Sequence, residues 1–259
     1  MRKSPLKLFL PLVLCVCLML SAAMGETERG DLSQRFSNAP QIEYNGKVFS
    51  RRSRVTTVLL MGVAMDETLG TKVSDFTALV AVDDNEKRIT PIRFSGNTLV
   101  TVDGGQIPLR QVFTLKEDPN EGCMQVVAAV NSLLGEELID SYFAFDVEGA
   151  YAVDGYVPVE GGTEAQLRAL KALLEQKSLD ELSSQYALLG DYIISDMKSG
   201  AVMKLTDKAE RYEMPHSVPL PTIDVVARDA QGQELHFLMP NEEEILPLVV
   251  SVFYEESQW

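Results

Sequence analysis

The stretch VTTVLLMGVAMDETLGTKVSDFTALVAVDDNEKRITPIRFSGNTLVTV, residues 55–102, alternates apolar runs with short polar breaks. Val55–Met61 is an apolar run that ends at Gly62; Phe76–Val82 is a second and Arg88–Phe94 a third, with Leu99–Val102 as a fourth. Runs of about 5–7 residues bounded by Gly, Asp and Asn fit strands covered on both faces. Asp83-Asp84-Asn85-Glu86 is a turn cluster between the second and third. A functional site is expected in the loops at the ends of these strands.

On the N-terminal side, IEYNGKVF (residues 42–49) reads as a hairpin with Asn45-Gly46 as a type I′ turn. Arg51, Arg52 and Arg54 follow as a solvated connector, with a basic spot near phosphate headgroups as the sharper alternative. On the C-terminal side, Asp103-Gly104-Gly105 is a turn and 114–122 a loop. Cys123, Val127, Val130 and Leu134 then line one face of a helix that Gly135 ends. Ser141–Val147 reads as a strand and 151–162 as turn-rich. Leu167, Leu170, Leu173 and Leu174 line one amphipathic helix; Leu179, Leu182, Tyr186 and Leu189 line a second. A third helix over 198–210 buries Val202, Leu205 and Ala209. Strands over 222–228 and 234–239 flank Gln231-Gly232. Asn241 is then placed to cap a last helix whose first turn holds Glu242, Glu243 and Glu244.

Residues 1–25 read as a signal peptide or N-terminal membrane anchor. Arg2, Lys3 and Lys7 precede the apolar Leu8–Leu20, and small residues follow at Ser21-Ala22-Ala23. Residues 26–40 form a polar linker and 41–256 one domain. Removing 1–25 takes away three positive charges and no acid, so the net charge of −15 becomes −18. A domain this acidic repels nucleic acid, which leaves no nucleic-acid partner. Cys123 is then the sole cysteine, and His216 and His236 stand apart, so no Cys/His metal cluster is expected.

The ordered series IEYNGKVF, VTTVLLMG, SDFTALVAVD, NTLV, CMQVVAAVNSLLG, IDSYFAFDVEG, LGDYIISDM and FLMPNEEEILPLVVSVFYEE resembles the LytR-CpsA-Psr family, especially its clostridial type, over residues 41–256. The resemblance implies an α/β protein, a three-layer α/β/α sandwich around a central mixed β-sheet. It implies an extracytoplasmic envelope protein, membrane-associated or secreted. The family transfers a glycopolymer from a polyprenyl-pyrophosphate carrier onto peptidoglycan; the lipid lies in an apolar tunnel, arginines grip the pyrophosphate, and aspartates hold a bridging Mg²⁺. Phosphoryl transfer is mostly positioning and charge neutralisation, which suits that equipment.

Residue by residue, the match is partial. Gly62 is kept, but Ala64 replaces the aspartate of a Gly-x-Asp motif, and Asp66 lies two residues on. Ser74-Asp75 matches the motif before the second strand, which makes Asp75, with Asp66, the metal candidates. Lys72 adjoins Val73, where some members have arginine. Gly96-Asn97-Thr98 stands where the family has Arg-Asp-Thr; Arg93 lies near, and its offset sends its side chain to the opposite face. Arg168 and Lys171 match remnants of an arginine-rich helix. The resemblance therefore implies Lys72, Ser74, Arg93 and Thr98 as lipid- or phosphate-binding residues and Arg93, Asn97 and Arg168 as catalytic candidates, with Mg²⁺ weak or absent. The expected function is binding of a polyprenyl-phosphate lipid, envelope glycopolymer or partner, with the phosphotransferase site largely lost. A divergent glycopolymer–peptidoglycan phosphotransferase and a structural interaction module of the envelope stay open.

Overall fold

The computed structural model describes residues 41–174, 176, 189–228 and 231–257. The expected targeting segment 1–25, the linker 26–40 and the second leucine-lined helix through Leu179, Leu182 and Tyr186 lie outside them. No helix among the described residues is long and apolar enough to cross a membrane.

Strands β1 (Gln41–Tyr44) and β2 (Lys47–Arg51) form the expected hairpin, with Asn45 and Gly46 at φ 53° and 72°. An antiparallel meander follows: β3 (Val55–Asp66), β4 (Thr71–Asp83) and β5 (Arg88–Phe94). β6 (Leu99–Val102) and β7 (Gly105–Pro108) make a separate hairpin, and a short helical turn, Leu109–Val112, leads on. Next come α1 (Pro119–Leu134), β8 (Ser141–Asp146), α2 (Gly162–Leu174), β9 (Ile193–Ser195), α3 (Ser199–Arg211) and β10 (Val218–Pro219). The hairpin β11 (Thr222–Arg228) and β12 (Glu234–Pro240), helix α4 (Glu242–Phe253) and β13 (Tyr254–Glu256) complete the chain.

The central sheet has the order β10-β5-β4-β3-β8-β9. β8 lies parallel to β3 and β10 parallel to β5; the other pairs are antiparallel, so the sheet is mixed. Alternate residues of each strand feed opposite cores. Leu59, Met61, Leu79 and Ala144 pack with Cys123, Val126 and Val130 of α1 and Val249 and Phe253 of α4. Val58, Leu60, Ala78 and Phe143 pack with Leu167 and Leu170 of α2 and Val202 and Leu205 of α3. This is the three-layer α/β/α sandwich that the resemblance implies.

Several local expectations are corrected. β3 does not end at Gly62 and β4 does not begin at Phe76. Both run on into a long two-stranded arm, because Asp66 accepts from the amides of Thr68 (2.9 Å) and Leu69 (3.1 Å) and closes the turn there. The pairing steps from Gly62 opposite Phe76 to Val63 opposite Ser74, which leaves Asp75 as the extra residue of a bulge. β6 pairs with β7 rather than joining the central sheet. α1 buries Val126 more deeply than the expected Val127, which is half-buried. Asn241 stands at the start of α4, but its side chain makes no capping hydrogen bond; its carbonyl accepts from Glu244 and Ile245.

Arg51 and Arg52 are not a solvated connector. Arg51 donates to the carbonyls of Glu137 (3.0 Å) and Leu138 (3.2 Å). Arg52 pairs with Asp83 at 2.9 Å and donates to the Tyr254 carbonyl. They tie the β1–β2–β13 sheet to the end of the central sheet where β3 begins. Cys123 is free and buried; burial first, then the charges of Asp196 and Asp118, push its thiol up to about 12.

Gly62 is where α2 meets β3. A Cβ on it would lie 2.6 Å from Thr163 Cγ2 and 3.2 Å from Phe76 Cβ. Gly62→Ala is expected to cost about 1–3 kcal/mol of stability through overpacking. Thr163→Ser, which removes the clashing methyl, should recover part of that loss in the double variant. Urea unfolding of the two variants checks it; equal midpoints for Gly62→Ala and the native chain would remove the close-contact account.

Candidate functional site

β3, β8 and β5 all finish at the same end of the sheet, and β4 starts there. Ligand sites of open α/β sheets favour such strand ends. Most of the candidates from sequence lie along this edge, in three groups.

The first group joins α2 to β4 and β5. Asp75, re-aimed by the bulge, accepts the amide N–H of Thr163 at 3.3 Å on Oδ2. The next residue, Glu164, pairs with Arg93 at 3.2 Å and with Arg168 at 3.1 Å. Arg93 thus lies on the α2 face, opposite the face that Gly96 presents, as its strand offset predicts. Two guanidinium groups here share one carboxylate.

The second group sits over the β3–β4 tip. Arg110, on the short helical turn, lays its stem across Gly96: a Cβ there would lie 3.1 Å from Arg110 Cβ and 3.4 Å from its Cδ. The Arg110 guanidinium pairs with Asp66 at 3.1 Å, and its Nε is buried with no protein partner. The sequence reading did not select Arg110. It is fourteen positions from Gly96 and reaches it only through the β6–β7 hairpin, whose turn returns the chain so that the Arg110 amide donates to the Gly96 carbonyl. A lone arginine just after a hairpin was the only available signal.

The third group is Lys72 with Asp146 (2.6 Å) and Glu148 (2.8 Å). Burial alone would lower the Lys72 pKa; the hydrogen bonds to the two carboxylates and their charges outweigh it and raise the pKa above its ordinary value. The lysine is therefore committed to two acids.

The remaining candidates are placed differently. Ser74 is fully buried and shares a 2.9 Å hydrogen bond with Thr77, so its hydroxyl does not face solvent. Thr98 is also fully buried, and its Oγ1 lacks a partner. Asn97 is exposed beside it, its carbonyl accepting from the Leu238 amide. Asp66 has one oxygen in the turn and the other on Arg110. Ala64 is half-buried against the α2-side core. The donor set does not fit a resident Mg²⁺: positions 64 and 97 offer no carboxylate, and no group of three His, Cys, Asp or Glu that could hold a metal occurs among the described residues.

A surface groove of about 710 Å³ opens elsewhere, along α1, with Met124, Val127, Glu136, Tyr142 and Asp196 among its lining. Burial raises the Asp196 pKa, although the Tyr142 amide donates to it. The groove lies where β8 begins, on the α1 face, and is not continuous with Asp75 and Asn97.

Comparison with solved structures gives likenesses that span most of the chain. The Lin1025 protein from Listeria innocua is 15% identical, with 76% of this chain and 96% of that chain covered and a TM-score of 0.51. The transcriptional regulator yvhJ from Bacillus subtilis is 13% identical, covering 77% and 97%, at 0.52. TagT bound to LI-WTA is 13% identical, covering 77% and 89%, at 0.53. The chain has the LytR-CpsA-Psr fold. No protein-family model and no curated protein matches it. Within the LytR-CpsA-Psr fold, the charged edge occupies the strand ends where the resemblance puts the pyrophosphate-gripping motifs.

Lys72→Met would leave Asp146, 8% exposed, without its ammonium partner. The expected loss is on the order of 1–2 kcal/mol at neutral pH, kept small because Lys72 is partly solvated. A lysine pKa raised by folding contributes stability that is complete below about 10.5 and fades as pH rises through the higher folded value. The gap between native and variant unfolding midpoints should therefore shrink above pH 10.5. A gap constant from pH 7 to 11 would sink the ion-pair reading.

Proposed function

We propose that the chain is a divergent LytR-CpsA-Psr family member of the bacterial envelope. It is exported and held at the membrane by its N-terminal apolar segment, and it binds a phosphorylated polyprenyl carrier or the glycopolymer on it without transferring that polymer. The fold supports the family, and TagT, a neighbour at 13% identity, is described bound to LI-WTA.

The observation that carries the binding half is the pair Arg93 and Arg168 on the single carboxylate of Glu164. It is the one ion-pair set at the edge, among the described residues, in which two cations share a single acid; Asp75 beside it is held by the Thr163 amide and pairs with neither. Arg110 with Asp66 is balanced, and Lys72 is outnumbered by Asp146 and Glu148. Guanidinium pairs suit phosphate oxygens, so an anionic headgroup is drawn to the α2 side. The loss of transfer rests on Ala64 and Asn97. Neither supplies the charge that would hold a bridging cation, and removing preorganised electrostatic groups costs about 10²–10³ each in kcat.

One observation favours the second reading, a divergent phosphotransferase. Arg110 lays its stem over Gly96, where the family motif has its arginine, and carries its guanidinium to Asp66. On that reading Asp66 and Asp75 serve as acids. DNA binding, which the description of yvhJ would suggest, does not suit a chain of net charge −15.

The test is titration of a polyprenyl diphosphate into the full chain in detergent. Arg93→Ala and Arg168→Ala are each expected to weaken binding about tenfold, the ~1.4 kcal/mol of one hydrogen bond to a charged group. Unchanged affinity in both variants would overturn the binding site. Mg²⁺-dependent transfer of glycan from a lipid-linked donor, abolished by Arg110→Ala, would replace the binder by the transferase.

A further inference from the structure

The β11–β12 hairpin carries a sheet face that joins neither core among the described residues. The register sets Ile223 opposite Met239, Val225 opposite Phe237 and Ala227 opposite Leu235. Alternation puts these six side chains on one face. All six are apolar. Ile223 is 54% exposed, Met239 40% and Leu235 38%. Neither core cluster includes any of the six among the described residues. The other face is mixed: it carries Asp224, Arg228, Glu234 and His236 with Val226 and Leu238. Exposed apolar patches of this kind mark interaction surfaces.

The hairpin's place in the fold narrows what covers it. The Leu238 amide donates to the Asn97 carbonyl, and Leu238 bridges Thr98, so the hairpin is fastened just past the end of β5, which carries Arg93. The apolar run Leu8–Met24 precedes the domain, and residues 25–40 connect the two in sequence. Gln41 starts in the small sheet at the other end of β3. A connector of this length spans at most about 50–55 Å, and the twelve residues of β3 rise about 40 Å. The chain outside the domain is thus long enough for the charged edge, and not only the Gln41 end, to reach a membrane in which residues 8–24 are held.

We propose that the apolar face of the β11–β12 hairpin seats on the lipid bilayer surface and holds the Arg93–Glu164–Arg168 edge at headgroup level. The occupant is the bilayer, and the contact is apolar: side chains enter the headgroup–acyl boundary, as amphipathic surface elements do. The acidic domain gains nothing from anionic lipid, so a zwitterionic surface suffices. The proposal rests on the membrane-tethered reading above, since that reading puts a bilayer within reach of the hairpin.

The experiment uses the full chain in phosphatidylcholine vesicles, with Phe237→Trp introduced and the one native tryptophan removed by Trp259→Phe. Vesicles should blue-shift the emission of the tryptophan at position 237 relative to the lipid-free chain, and brominated acyl chains should quench it relative to unbrominated ones. Ile223→Asp with Met239→Asp should abolish that quenching while the chain stays on the vesicle. Val226→Asp, on the opposite face, should leave it intact. Slow amide exchange in β3 and β4 confirms that each variant is folded. Absent quenching in the folded parent overturns the proposal. So does quenching that survives the double aspartate change, or protection of the hairpin amides in a lipid-free dimer. The vesicles contain no phosphorylated prenyl lipid, so failure here leaves headgroup binding at Arg93 and Arg168 standing, and failure of that binding leaves the quenching unaffected.

Discussion

The close approach of α2 to β3 at Gly62 governs the charged edge. With no side chain at that position, the Thr163 methyl and Leu167 settle directly onto the strand. The depth of that contact sets the height of the helix N-terminus. At this height the Thr163 amide meets Asp75, which the bulge has turned out of its normal alternation. The following residue, Glu164, then faces Arg93 on β5, and Arg168 comes round one turn later. A helix lifted by one methyl would move all of these pairs together. Packing in the apolar core and the electrostatics of the edge are therefore one construction.

Much of the scaffold was legible because it is written in local signals. The apolar runs of β3, β4, β5 and β8 read as strands, Asn45-Gly46 as a hairpin turn, and the leucines of α2 as a buried stripe. The misreadings share a cause. Gly62 and the polar Lys72, Ser74 and Asp75 look like chain breaks, yet backbone pairing carries β3 and β4 through them, and the sheet tolerates polar side chains where it runs past its helices. Arg51 and Arg52 look like a solvated charge run until β13 and the segment before β8 supply carbonyls and the end of β4 supplies the Asp83 carboxylate, all distant in sequence. Non-local partners of this kind leave no mark in a sequence window.

The site was legible in composition but not in arrangement. Arg93, Asp75, Asp66 and Lys72 lie toward the strand ends, where the sequence directs attention, and Arg168 lies on α2 above them. Which acid each cation meets depends on Glu164, Asp146 and Glu148; the last two lie inside the IDSYFAFDVEG motif, which does not mark them as partners of Lys72. Ser74 and Thr98 fall at polar positions of the motifs that resemble the family's, but burial takes both hydroxyls away from solvent. A motif match specifies a residue type at a backbone position and says nothing about whether its side chain is covered.

Arg110 shows why loss at a motif position differs from loss in space. Gly96 lacks the arginine, yet the stem of Arg110 fills the volume in front of it. The carboxylates missing at 64 and 97 have no such replacement: Asp66 is taken up by its turn and by Arg110, and Asp75 by the start of α2. The two losses have unequal consequences. Affinity for a phosphate depends on cations near it, which a chain can supply from several backbone positions because a guanidinium sits on a long flexible stem. A cation bridging two phosphates needs short carboxylates converging on one point, which few backbone positions can satisfy. Divergence therefore erodes metal-assisted transfer sooner than anion binding. An edge with guanidinium groups and without converging carboxylates is therefore better suited to holding an anion than to holding a bridging cation.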